Sequence, residues 1–368
     1  MVECNGDQAK GSCKLCRAGG SEKAHCACGP YVATKCCRRS PMPGVLEILN
    51  SSVTDDNRGP LNFPTVGDCS MPIIEPKSPE NTENLTAQVP GTEHISVHQY
   101  VAHPSNYHFI LDEPDKCSQN PFLVLMVPVA PQQVDARNAI RSTWGNESSV
   151  QGKAVLTLFL VGLTGGPEAQ QQLEEESRQH RDLVQSNFVD SYFNLTIKTM
   201  VIMDWLATRC PQANFSMKVD SDMYIGLENL MTLLLAPNTP RQNYITGHLM
   251  WNQNVIRNKN SKWYVPKELY PEPKYPTYVL GMAYVFSNDL PPKIVEASEA
   301  IKPFNIEDAY VGACLKRLGI NPSGAPDPSQ FQTYMNNPKS HDLSKLITTI
   351  AGSPEKVVEF WLNVKGHK

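Results

Sequence analysis

At 368 residues with 40% hydrophobic content, the chain is long enough to bury one large core or two medium ones. Its formal net charge of −4 excludes a general nucleic-acid binder, which needs a basic face. The longest apolar runs, Phe122 to Ala130 (broken by Pro128) and Ala154 to Leu163, fall short of the roughly 20 residues that span a bilayer, and they read as buried strands.

Residues 1–40 contain seven of the eleven cysteines (Cys4, Cys13, Cys16, Cys26, Cys28, Cys36, Cys37) with His25, and no apolar stretch that would mark a signal peptide. A zinc module needs two well-spaced ligand pairs. Here Cys13-x-x-Cys16 is followed by a C-x-C and an adjacent C-C, so a disordered or foreign segment is the better account. Residues 41–106 read as a stem or linker, because the stretch up to residue 91 is rich in Pro, Ser, Thr and Asn, with Phe63 its only aromatic. The folded domain is expected over 107–368. Five N-x-[ST] sequons, at Asn50, Asn84, Asn146, Asn194 and Asn214, are compatible with the secretory pathway. There Cys69, Cys117, Cys210 and Cys314 can form disulfides, in a pairing that spacing does not reveal.

From Tyr107 onward short apolar runs alternate with helical stretches. Phe122–Val127 is a continuous β-rich run, followed by the polar, helix-compatible Arg137–Arg141. Val155–Val161 is a second strand, and Glu168–Gln185 a charged, solvated helix. Ile197–Arg209 is apolar nearly all round and is ended by Cys210-Pro211, which predicts a buried helix. Phe215–Val219 is the third strand. This alternation predicts an α/β fold with a mainly parallel central sheet flanked by helices, whose ligands bind at the carboxyl ends of the strands.

The third strand delivers Lys218-Val-Asp-Ser-Asp222 to that edge. Asp and Ser often gather at strand ends simply to make turns. Two carboxylates one residue apart are also a seat for a hard divalent cation shared with substrate phosphates. A calcium loop starting at Asp220 would need Gly and Glu where Ile225 and Met231 stand. No dinucleotide or phosphate-loop fingerprint occurs, and Gly162–Gly166 has the wrong spacing, so phosphate binding has to run through the metal. A second element begins near Asp308, where Val311, Cys314, Leu315 and Leu318 recur at helical spacing before Gly319. As an N-cap, Asp308 would contribute about 1 kcal/mol. The same position in the helix dipole is expected to keep it ionised and able to accept a proton from a sugar hydroxyl.

The segments Arg137-Asn-Ala-Ile-Arg-Ser-Thr-Trp-Gly145, Asp190-Ser-Tyr-Phe-Asn-Leu-Thr-Ile-Lys-Thr199, Lys218-Val-Asp-Ser-Asp222, Lys262-Trp-Tyr-Val265, Tyr275-Pro-Thr-Tyr-Val-Leu-Gly281 and Glu307-Asp-Ala-Tyr-Val-Gly312 stand in one order over roughly residues 107–325. In this the chain resembles glycosyltransferase family 31, and most closely its β-1,3-galactosyltransferases. The resemblance implies a GT-A-type fold, UDP-galactose as donor, manganese as cofactor, and a β-1,3 linkage formed with inversion. It assigns metal coordination to Asp222, the ribose side of the nucleotide to Asp220, and the general base to Asp308. It places Arg137, Arg141 and Trp144 near the nucleotide, against the plainer readings of surface salt bridges and core packing. Lys262, Trp263, Tyr264 and Glu307 fall on the acceptor side, although a buried strand accounts equally well for 262–264.

The same resemblance implies a glycan acceptor on glycoprotein or glycolipid and a Golgi membrane location with a lumenal catalytic domain. It also implies an N-terminal membrane anchor that is not visible here. Relatives commonly carry a His shortly before a segment like Ser353-Pro354-Glu355, whereas Thr348–Gly352 contains none; if that His is a metal ligand in relatives, the departure implies either a weaker metal affinity here or His341 as the substitute. The rival readings are transfer of N-acetylglucosamine, a non-catalytic glycan-binding protein with this fold, and a zinc-dependent regulator acting through residues 4–37.

Overall fold

A computed structural model describes residues 102–335 and 338–366. The Cys-rich segment, the stem as far as residue 101, the sequons at Asn50 and Asn84, and Cys69 lie outside the described residues. In chain order the strands are β1 (Phe109–Leu111), β2 (Leu123–Pro128), β3 (Ser149–Val150), β4 (Lys153–Leu163), β5 (Leu183–Val189), β6 (Phe215–Val219), β7 (Met223–Ile225), β8 (Ile245–Met250), β9 (Tyr278–Ser287), β10 (Ser323–Gly324), β11 (Phe331–Tyr334) and β12 (Thr348–Ile350). The helices are α1 (Val134–Arg141), α2 (Pro167–His180), α3 (Leu195–Arg209), α4 (Leu227–Leu235), α5 (Leu290–Ser298), α6 (Glu307–Arg317), α7 (Ser340–Leu343) and α8 (Pro354–Lys365).

The main sheet runs β1-β5-β4-β2-β6-β9-β8-β10, with β3 paired to β4. Its centre, β5-β4-β2-β6, is parallel throughout. β9 is antiparallel to both of its neighbours and β10 is parallel to β8, so most strands share one direction. The expected mainly parallel sheet flanked by helices is therefore present. A small second sheet, β11-β12-β7, packs beside the end of β6.

β2 shows why an unbroken apolar run becomes a central strand. Val124 and Met126 join a core with α3, α5 and α6, while Leu123, Leu125 and Val127 join another with α1, α4 and α8. Burial on both faces leaves no position for a polar alternation. The nearly all-round apolar α3 is enclosed along most of its length, as expected. Cys210 caps its end and forms a disulfide with Cys117, across a separation of 93 residues. On the chain-entropy argument, Cys117→Ser/Cys210→Ser is expected to lose about 2–5 kcal/mol, read as a lower denaturation midpoint in urea. Cys314 is buried and free. Among the described residues no helix is long and apolar enough to cross a membrane.

The solvated helix predicted over Glu168–Gln185 stops earlier. Arg181 adopts a left-handed conformation (φ 54°) just after α2, and the chain turns into β5, the fourth parallel strand. Gln185 and Ser186 gave this stretch a polar look, yet both are buried with partners. Gln185 Nε2 donates to Gly162 O at 3.1 Å and Ser186 Oγ to His108 O at 3.0 Å.

Candidate active site

β6 ends in a tight turn at the carboxyl edge of the parallel strands. Met223 N donates to Asp220 O at 3.3 Å, and Asp220 N donates across to Met282 O on β9 at 2.8 Å. On the far side Trp144, fully buried, donates its indole N–H to Met223 O at 3.0 Å, and Ala351 and Gly352 donate their backbone N–H to Asp222 O at 2.8 and 3.0 Å. The Asp-Ser-Asp turn is thus fixed from three sides. Its side chains remain accessible: that of Asp220 is 41% exposed. Burial pushes the Asp222 carboxyl up, and the neighbouring Asp220 charge pushes it further.

Lys218 enters the same cluster from within the sheet, because alternation sends Met217 and Val219 to one face and Lys218 to the α3/α6 face. Its ammonium donates to Asp220 Oδ1 at 2.7 Å, to Gly281 O at 2.5 Å and to Glu307 Oε1 at 3.1 Å. Burial works against the charge on Lys218, but Asp220 and Glu307 outweigh it and raise the group, so it stays protonated. Glu307 is itself pushed up to about 7 by burial, against the pull of Lys218. A lysine closing a buried strand needs a partner. That was the signal in the sequence for a group that motif reading left without a role.

Asp308 is the second residue of α6, two positions past the N-cap Ile306. It is therefore not the helix N-cap. Its Oδ2 accepts from Gly281 N at 2.9 Å and its Oδ1 from Ala309 N at 2.8 Å. Burial raises its carboxyl, opposed by those two N–H groups and by Lys218, whereas the helix dipole alone led to the expectation of an ionised group. Gly281 thus presents its N–H to Asp308 and its carbonyl to Lys218. A Cβ there would collide with Glu307 Oε1 and crowd Asp308 Oδ2, so the site needs glycine for space rather than for backbone freedom. The carboxylates of the Asp-Ser-Asp turn and of α6 accordingly belong to one cluster.

The Asp190–Thr199 segment supplies the third wall. Lys198, buried, donates to Asp190 Oδ2 at 2.7 Å and to Val129 O at 2.8 Å, while Asp190 Oδ2 also accepts from Gly162 N at 2.8 Å. This brace ties the carboxyl ends of β2, β4 and β5 to α3. Tyr192, 43% exposed, has its hydroxyl pushed up by burial and by the nearby charges of Asp308 and Asp220. It is a cluster residue that the sequence reading missed. Lys262, Trp263 and Tyr264 lie in turns rather than in a buried strand. The Lys262 ammonium sits 4.7 Å from the Trp263 ring and 5.9 Å from that of Tyr192, and Asn305 Nδ2, just before α6, donates to Tyr264 O at 3.1 Å. An open aromatic wall therefore adjoins Asp308.

Four expectations are corrected. Arg137 is wholly enclosed and holds Glu176 through two bonds of 2.6 Å and the Ala130 and Pro131 carbonyls at 3.0 and 2.9 Å, so it braces the loop after β2 instead of meeting a nucleotide. Arg141 is likewise committed to Asp182, Glu176 and Asn138 over the Phe159 ring. Glu307, expected on the acceptor side, is buried against Lys218, Thr199 and Tyr284. His341 does not replace the missing histidine. α7 is tied to α8 by Ser340 Oγ on Asn363 O, at the far end of a 12-residue helix about 18 Å long, whereas the loop on Asp222 precedes its start. Trp144 packs in the core, as the plainer reading had it.

Among the described residues no group of three or more His, Cys, Asp or Glu side chains is arranged to hold a metal ion by itself, and no Lys, Arg or His forms an ion pair with Asp222. A sparse pair of hard oxygen ligands with one uncompensated carboxylate fits a divalent cation that completes its shell with water and substrate phosphate.

A protein-family model described as Galactosyltransferase matches residues 135–326. The chain is 41% identical to the Homo sapiens Beta-1,3-galactosyltransferase 2 over 297 residues, 79% of this chain and 70% of that protein. It is 39% identical to the Mus musculus Beta-1,3-galactosyltransferase 1 over 267 residues, 72% of this chain and 81% of that protein. Among solved structures it is similar to the apo WbbM bifunctional glycosyltransferase, with a TM-score of 0.38 and 9% identity over 66% of this chain and 50% of that one. It is also similar to a glycosyltransferase involved in glycosylation of the PBCV-1 major capsid, with a TM-score of 0.35 and 10% identity over 65% and 98% of the two chains. The likeness to these two structures is too distant to bear on the site. The family match and the two relatives decide the matter: the chain belongs to the galactosyltransferase family, glycosyltransferase family 31, a family of hexosyltransferases.

Proposed function

We propose that this protein transfers galactose from UDP-galactose to the 3-hydroxyl of an acceptor sugar, making a β-1,3 linkage with inversion on a GT-A-type fold. The observation that carries the reading is the joining of the Asp220–Asp222 turn and Asp308 through Lys218 and Gly281 into a single cluster. Asp308 accepts the proton of the acceptor hydroxyl as its oxygen bonds to the anomeric carbon, and the bond from that carbon to the diphosphate breaks on the opposite face. One displacement of this kind inverts the anomeric centre. Asp222, with Asp220 toward the ribose, would hold manganese, which when bound supplies neutralisation of the charge developing on the leaving diphosphate. Trp263 and Tyr192 offer ring faces on which an acceptor sugar can stack, next to the base.

The location that fits is the Golgi lumen, with the acceptor glycan on glycoprotein or glycolipid. The Cys117–Cys210 disulfide needs an oxidising compartment, and the sequon asparagines Asn146 and Asn214 are exposed, while the Asn194 amide donates to Val189 O at 2.8 Å. A donor panel with a simple sugar acceptor and added manganese tests the activity. Release of UDP from UDP-galactose well above that from UDP-N-acetylglucosamine is expected. The reverse preference would make the protein an N-acetylglucosaminyltransferase, and no release from any donor would make it a non-catalytic member of the family.

A further inference from the structure

The Lys218–Glu307 pair is enclosed, with side-chain exposures of 4% and 8%, and it collects contacts from four elements. Lys218 belongs to β6, takes Gly281 O on β9 and reaches Glu307 on α6. Glu307 Oε2 accepts from Thr199 Oγ1 on α3 at 3.1 Å and from Tyr284 Oη on β9 at 3.5 Å. Two routes of direct contact then run from the donor side to the base. One passes from Asp220 to Lys218 to Gly281 and its N–H to Asp308; the other passes from Asp220 to Lys218 to Glu307, the neighbour of Asp308 in the first turn of α6.

A buried ion pair is a weak source of net stability, because desolvation offsets most of its attraction, and fixing a unique arrangement is the better-attested use of such a pair. Resting on the function proposed above, we propose that Lys218 and Glu307 are positioning residues that set Asp308 at a fixed place relative to the donor-side Asp220. Thr199 acts with them, by holding the second oxygen of Glu307. Neither Glu307 nor Thr199 has to touch substrate for this. What they control is the alignment of the base, to which rate is far more sensitive than binding: a misplacement near 1 Å costs about 10²-fold.

Glu307→Gln keeps the side-chain shape, removes its charge and turns one acceptor oxygen into a donor facing the hydroxyls of Thr199 and Tyr284. It is expected to lower kcat about 10- to 100-fold while KM for UDP-galactose and Kd for UDP stay within about twofold. Thr199→Val is expected to follow with a smaller fall, and Thr199→Ser, which keeps the hydroxyl, to restore the parent kcat. The double variant Thr199→Val/Glu307→Gln should be no slower than Glu307→Gln, because both changes act through one carboxylate. An unchanged kcat in Glu307→Gln overturns the proposal. So does a fall that matches the loss of folded protein by circular dichroism, or one that appears in donor KM. Should Glu307→Gln fail to fold, the Thr199→Val and Thr199→Ser comparison decides by the same criteria. Asp308→Asn run in parallel separates the two claims. If it is inactive while Glu307→Gln is unaffected, only the positioning role fails; if it transfers galactose at the parent rate, the assignment of the base fails and the positioning role with it.

Discussion

Asp308→Asn is expected to lower galactosyl transfer by about 10²–10⁴-fold, the usual worth of a positioned general base, with UDP affinity unchanged. The substitution keeps the shape of a side chain held by Gly281 N and Ala309 N, so an amide oxygen can still accept one of those bonds. The other N–H then faces an amide group, at a cost to stability of about 1–3 kcal/mol. Loss of transfer far out of proportion to any fall in melting temperature identifies a chemical role. The pH profile carries the same information with a definite sign. Burial raises Asp308 above the 3.8 of an ordinary aspartate, and the backbone N–H groups and Lys218 only partly oppose it. The carboxyl therefore takes up its proton at a higher pH than usual, and only the ionised form can accept a proton from the acceptor. Transfer should fall as pH is lowered through that raised value, and the residual rate of Asp308→Asn should lack this limb. An acid limb that survives unchanged in the variant would assign it to another group, such as Glu307, pushed up to about 7 by burial.

Asp222→Asn is expected to remove most of the manganese response. Neutralising charge on a leaving diphosphate is worth several kcal/mol, so kcat/KM for UDP-galactose should drop by about 10²–10³-fold, and saturation with manganese should shift to higher concentration. The variant should fold normally. What fixes the turn is backbone: Met223 O under the Trp144 indole, and Asp222 O under Ala351 and Gly352. None of these contacts uses the Asp222 carboxylate. A manganese titration of Asp222→Asn that overlays that of the parent would place the cation elsewhere.

Legibility in the sequence followed how locally each feature is encoded. β2, β4, β6 and α3 announce themselves because their apolar runs are unbroken; the Asp-Ser-Asp turn follows directly from where β6 ends, and α6 from the helical spacing of Val311, Cys314, Leu315 and Leu318. β5 did not, since Gln185 and Ser186 are polar residues satisfied by partners 23 and 78 positions away. The same limit hid the roles of Lys218 and Glu307. Each looks like an ordinary charge beside a motif, and only the pairing of β6 with β9 and the approach of α6 bring them together. Arg137 and Arg141 misled in the other direction. Their motif resemblance is real, but Glu176 and Asp182, supplied by α2 and the approach to β5, occupy them. The Cys117–Cys210 pairing was open in sequence because three alternatives existed for four cysteines.

Inverting transfer needs a nucleophile and a leaving group lined up on opposite faces of one galactose, with Asp308 behind the nucleophile. The most direct measurement is NMR of the product made by the purified protein from UDP-galactose, with manganese and a sugar acceptor carrying a free 3-hydroxyl. A galactose β-linked to that oxygen, absent when Asp308→Asn replaces the parent, is the predicted result. An α-linked product, or an equal yield from Asp308→Asn, would contradict it.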